Sequence, residues 1–186
     1  MGTLLAIFEP DRTNVGTITL RNDGGVQVVL YSALGKAAND DAAAKGNVGA
    51  NPLHLYGNTP LGLYHVNEIA PSGPDTRKYG DAGVIRLEPV GGQALLAKQN
   101  GRTGLLIQGG SPGTTGLLRR TNGCVRMMNG ELRHLIAKIR ALQENGGFHR
   151  PLGSQGKTSA RTRHKRHERA GRRRRSTALI GPQGLK

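Results

Sequence analysis

The chain has 186 residues, enough for one domain with a core and an appendage; its 35% hydrophobic content, lack of tryptophan and 29 glycines point to short strands and many turns, not a helical bundle. A single cysteine excludes an intramolecular disulfide, and no apolar run approaches the roughly 18 residues that a membrane-spanning helix needs. Of the formal net charge of +15, the segment from Lys157 to Thr177 carries +9, with ten Lys/Arg against Glu168, so the remaining chain is only mildly basic.

The N-terminal "MGTLLAIFEPDR" has no basic leader, and its apolar run stops at Glu9, so no secretory signal is expected. Ala6 stands where a myristoylation signal needs a hydroxyl. Thr3–Phe8, Thr17–Leu20 and Val26–Ser32 read as strands, separated by the turn sequences "PDRTN" and "RNDGG". "ALGKAANDDAAAKGNVGANP" follows, a long small-residue loop with a little helix, of the kind that is functional or inserted. Strand signals resume at Gly62–Ala70, Val84–Val90, Ala94–Ala97 and Gly104–Ile107. After Met128 the spacing predicts a helix: Asn129 is a suitable N-cap, and Leu132, Leu135, Ile136, Ile139 and Leu142 recur on one face. Glu131 suits its first turn, and "ENGG" supplies a stop at Gly146. From Pro151 the periodicity is lost. The expected organisation is a domain over residues 1–150 and a disordered basic tail over 151–186.

The chemistry centres on Cys124 in "LLRRTNGCVRMMNGELRHL". A thiolate is a strong nucleophile, and a preceding glycine lets a substrate approach while leaving backbone N–H groups for an oxyanion. The bland alternative is a buried structural thiol, the commoner fate of a lone cysteine. "IQGGSPGTTG" lacks the Gly-Lys-Ser/Thr ending of a phosphate loop, and His164 and His167 stand among arginines without partners for a metal. No cofactor is expected.

"TNGCVRM" resembles the Ser/Thr-x-Gly-Cys-aliphatic-Arg/Asn signature of the L,D-transpeptidase (YkuD-like) family. Two further blocks occur in the family's order. "NTPLGLYHV" (Asn58–Val66) is similar to its Thr-Pro-x-Gly-x-Tyr/Phe block, and "GLLIQGG" (Gly104–Gly110) to its apolar strand ending in His-Gly. The resemblance covers roughly residues 1–145. It implies a mainly β domain with one substantial helix (α+β), an L,D-transpeptidase-like β-sandwich. It also implies a cysteine acyltransferase: Cys124 attacks the diamino acid at the third position of a peptidoglycan stem, the terminal D-alanine leaves, and an amine or water resolves the thioester. The implied site has Cys124 and Gln108 as catalytic residues. Gly123, Asn122 and Thr121 serve the oxyanion and positioning, and Arg126, Gly109 and Tyr64 contact substrate. Stem peptides as substrate imply the periplasm or cell wall.

One departure stands out. Gln108 occupies the place of the family's base histidine, and an amide orients groups without accepting a proton. His54, His65 and His134 are the candidates to replace it, while Arg119, Arg120 and Arg126 are cations able to depress a thiol pKa or hold a carboxylate. The alternative is a catalytically inactive relative that binds wall peptides, or an anionic polymer or nucleic acid, through residues 157–177. Without aromatic residues in that segment, any nucleic-acid contact would be non-specific.

Overall fold

The computed structural model describes residues 3–113, 116–144 and 177–182. Three N-terminal strands, β1 (Thr3–Phe8), β2 (Gly16–Arg21) and β3 (Gln27–Ala33), form an antiparallel meander. In β1 the alternation of side chains sends Leu4, Ala6 and Phe8 into the core and leaves Thr3, Leu5 and Ile7 half-buried. The two turns are closed by side chains, as their composition suggests: Asp11 Oδ1 accepts from Thr13 N at 2.9 Å, and Asn22 Oδ1 from Val26 N at 3.0 Å.

After the short α1 (Asn39–Ala44), β4 (Gly62–Ala70), β5 (Val84–Gly91), β6 (Leu106–Gln108) and β7 (Val125–Arg126) build a second group of strands. β4, β5 and β6 pair antiparallel, and β6 and β7 pair parallel. A one-turn α2 (Thr76–Tyr79) links β4 to β5. The strand expected at Ala94–Ala97 is instead helical, α3 (Gly92–Gln99). Alanine, leucine, lysine and glutamine are good helix formers, and Ala94 and Ala97 share the face that packs on β4 and β5. The helix is tied down by Ala94 N on Leu61 O at 2.8 Å and by Leu61 N on Gln93 Oε1 at 3.0 Å.

The long helix is α4 (Asn129–Glu144), and Leu132, Leu135, Ile136 and Ile139 are buried on one face as the periodicity predicts. Each such burial is worth about 1.5–3 kcal/mol relative to exposure. Asn129 does not cap it. It is the first helical residue, and its Oδ1 accepts from Gly110 N at 2.7 Å. The expected stop at Gly146 lies outside the described residues.

The molecule is thus mixed α+β, with a three-stranded and a four-stranded group and one substantial helix. β8 (Thr177–Pro182) lies between the two groups, parallel to β1 and antiparallel to β4, giving the order β3-β2-β1-β8-β4-β5-β6-β7. This corrects the expectation of a tail disordered through residue 186. The short apolar run "TALI" behind four arginines has no periodicity to announce a strand, and what orders it is the pair of free strand edges that β1 and β4 present. The charged segment from 157 to 176 lies outside the described residues. At the other end the sheet edges also meet. Leu34 and Arg126 exchange N–H···O bonds of 2.9 Å each, and Ala38 N reaches Thr121 O at 2.8 Å. That junction holds the cysteine segment.

Candidate active site at Cys124

Residues 121–124 form a turn organised by Thr121. Its Oγ1 accepts from Gly123 N at 3.0 Å and donates to Cys124 O at 2.8 Å. Gly123 has φ of 103°, a conformation that favours glycine, and a Cβ there would lie 2.0 Å from Arg102 Nη2. The carbonyl of Gly123 accepts from Thr59 Oγ1 at 3.0 Å and from Arg102 Nη2 at 3.3 Å. Arg102 is 2% exposed. Its other donors reach Gly57 O at 2.7 Å, Pro52 O at 2.5 Å and His54 O at 3.1 Å, binding the 51–57 loop to the cysteine turn. Burial lowers its pKa to about 10.

Cys124 is half-buried. Its sulfur lies 3.8 Å from Gly104 O, and burial raises the thiol pKa. A backbone hydrogen bond at Leu106 and the charges of Arg102, Arg126 and Lys78 oppose that rise without reversing it. None of the three candidate histidines is among the groups acting on the sulfur. His134 Nδ1 is hydrogen-bonded to the Tyr31 hydroxyl, His65 sits opposite Glu88 in the β4–β5 ladder, and the His54 carbonyl is held by Arg102.

Gln108 ends β6 directly opposite Arg126 of β7. It is 2% exposed, and among the described residues its Oε1 has no hydrogen-bond partner. Arg126 is 5% exposed; its Nη1 donates to Lys78 O at 3.0 Å and to Gly109 O, while its Nε is unpartnered among the described residues. Both side chains line a groove of about 410 Å³ together with Thr121 and Asn122. Arg77, Lys78, Arg119 and Arg120 add positive charge to its wall, against Asp41 and Asp75. A groove of this charge, with an unused buried donor and an unused buried acceptor, suits a carboxylate-bearing ligand that also carries an N–H. Cys124 adjoins the groove in sequence, but its side chain is turned toward Gly104 and is not part of the wall.

Cys124, Gln108, Asn122, Thr121 and Arg126 therefore converge on one region, and three expectations are corrected. Tyr64 is fully buried with its hydroxyl on Pro60 O at 2.8 Å, so it is a core residue out of reach of a ligand. Gly109 spends its N–H on Tyr79 O at 3.0 Å and its carbonyl on Arg126, so its backbone groups hold neighbouring residues in place rather than a ligand. The N–H of Gly123 is taken by Thr121, which leaves the N–H of Cys124 as the unengaged amide of the turn among the described residues. Sequence reasoning missed Arg102 and Thr59. Thr59 was in view within "NTPLGLYHV", but Arg102 in "QNGRTG" reads as an ordinary turn cation.

No family model matches the chain, and no curated protein matches it. Among solved structures it is similar to Bd1075 of Bdellovibrio bacteriovorus at 18% identity and a TM-score of 0.48, over 96% of this chain and 47% of that chain. This chain thus spans about half the length of that one.

Proposed function

We propose that the domain is an L,D-transpeptidase-like cysteine acyltransferase acting on peptidoglycan stem peptides at the cell wall. The observation that carries this reading is the turn at Cys124: a half-buried cysteine whose own amide N–H is unengaged among the described residues, next in sequence to the residues of a cationic groove that Gln108 also lines. The order of the three sequence blocks supports it. In the reaction the thiol proton goes to solvent, and the thiolate adds to the stem carbonyl while the Cys124 N–H receives the developing oxyanion. The C–N bond then breaks, and the D-alanine amine leaves with a proton from water. An acceptor amine or water attacks the thioester and releases the thiolate. Gln108 orients the substrate by hydrogen bonding, and the groove arginines hold stem carboxylates.

Mass spectrometry after incubation with a carbapenem tests the reading. An adduct on the wild type that is lost in Cys124→Ala supports it, and no adduct even at raised pH ends it. The raised thiol pKa, and the absence of an imidazole among the described groups acting on the sulfur, favour a second reading: a non-catalytic domain that binds wall peptides or, through its basic segment, an anionic polymer. Gln108→His discriminates. Activity created from near zero supports the binding-only reading of the native chain, whereas a fall in existing activity marks Gln108 as an adapted catalytic residue.

A further inference from the structure

Arg102 is a fully buried guanidinium whose hydrogen-bond partners among the described residues are all backbone carbonyls: Pro52, His54, Gly57 and Gly123. No carboxylate pairs with it among the described residues. A buried cation without an anion is costly, so its retention calls for a reason beyond loop closure. The place where it ends supplies one. Gly123 O belongs to the same peptide unit as Cys124 N–H, and in a trans peptide the two groups point in opposite directions. Two donors, Arg102 Nη2 at 3.3 Å and Thr59 Oγ1 at 3.0 Å, fix that carbonyl from behind. The peptide is thereby polarised and held with its N–H, unengaged among the described residues, turned to the other side. The Gly123 N–H cannot share the task, because Thr121 Oγ1 holds it at 3.0 Å.

We propose that Arg102 and Thr59 are positioning residues for an oxyanion-binding amide: together they orient and polarise the Gly123–Cys124 peptide so that the Cys124 N–H meets the carbonyl oxygen of a reacting acyl group. This deepens the acyltransferase reading and rests on Cys124 being its nucleophile, but it does not depend on which acyl donor is native. The charged and titratable groups around the pair are Tyr64 and the Cys124 thiol, facing Arg102; Arg12, whose Nη2 donates to Thr59 O at 3.5 Å; and Arg126 and Lys78, facing the sulfur. All of them stay in place in the variants below, and Arg102→Lys keeps the cation.

Two reagents separate the oxyanion from the thiol. With p-nitrophenyl acetate the thiolate adds to the carbonyl, an oxyanion forms, the ester C–O bond breaks and p-nitrophenolate leaves. With iodoacetamide an S–C bond forms as C–I breaks and iodide departs, and no oxyanion arises. In both reactions the thiol proton goes to solvent. On the full chain, Thr59→Val and Arg102→Lys are expected to slow the ester reaction about tenfold, less than the loss of a direct oxyanion donor costs, while the alkylation rate stays unchanged. Thr59→Ser, which keeps the hydroxyl, restores the ester rate. A parallel fall of both rates, no change in either, or a wild type that is alkylated but never acylated overturns the inference. A selective loss confined to Thr59→Val removes Arg102 from it. Should Arg102→Lys fail to fold, the near-isosteric Thr59→Val with its serine rescue still decides for the peptide mechanism. A selective ester effect in a protein that forms no carbapenem adduct would keep this inference and discard the wall substrate.

Discussion

Two regions of the molecule are held by different physics. Beneath α4 the core is a continuous apolar cluster in which Leu4, Phe8, Ile18, Leu20, Ile85, Ile107, Leu132 and Leu135 are sealed from solvent. Beneath the cysteine turn there is little apolar mass. A small cluster of Ala37, Ala42 and Ala50 packs against Tyr56, and the rest is polar: Arg102, Thr59, Asn47 and Asn58 bonding backbone groups of the 36–59 loop and the turn. The apolar region holds the molecule together through area and close packing, which tolerates some rearrangement. The polar region holds a particular geometry through directional bonds, which do not.

The sharpest break of this contrast is on the apolar side. Leu135→Ala is expected to cost about 2–5 kcal/mol by urea denaturation, because it leaves a cavity under α4. On the polar side, Gly123→Ala costs about 1–3 kcal/mol from backbone strain alone. It also pushes a methyl onto Arg102 Nη2, so its ester acylation should fall further than its stability explains. A stability gain in Gly123→Ala would show that the turn relaxes freely and that the polar network is not directional.

Titration sharpens the comparison with a smaller effect. Burial raises the folded-state pKa of Cys124, so the unfolded chain loses its thiol proton first as pH rises. The thiol's contribution to stability is therefore constant below the ordinary thiol range and declines from about pH 8.5 until the folded thiol also ionises. Chemical denaturation between pH 7 and 9.5 should show this decline in the wild type and a flatter profile in Cys124→Ala. The same shift predicts that iodoacetamide labelling accelerates with pH beyond the range of a free thiol. The smallest effect belongs to the surface. Lys98 and Glu88 form an exposed ion pair, and Lys98→Met should change stability by less than about 1 kcal/mol.

Much of the fold was legible in the chain. The meander of β1–β3, the span of β4 and the buried face of α4 follow from period-2 and period-3.6 patterns punctuated by Asp, Asn and Gly turns. The Thr121–Cys124 turn and its neighbours Gln108 and Arg126 were marked by motif order. α3 was misread because four residues rich in alanine and leucine suit either period, and the surface of β4 and β5 decided between them. β8 was missed because its partners, β1 and β4, are more than a hundred residues away.

By itself, then, the sequence determined the local periods, the turns and the residue types gathered at the cysteine motif, because these depend on spacings of a few residues. Only the tertiary structure decided that Tyr64 belongs to the core, that the two sheet edges meet at Arg126, and that Arg102 stands behind the Gly123 carbonyl. Those outcomes depend on which distant backbone groups are left needing partners once the chain is compact, and a linear pattern carries no record of that.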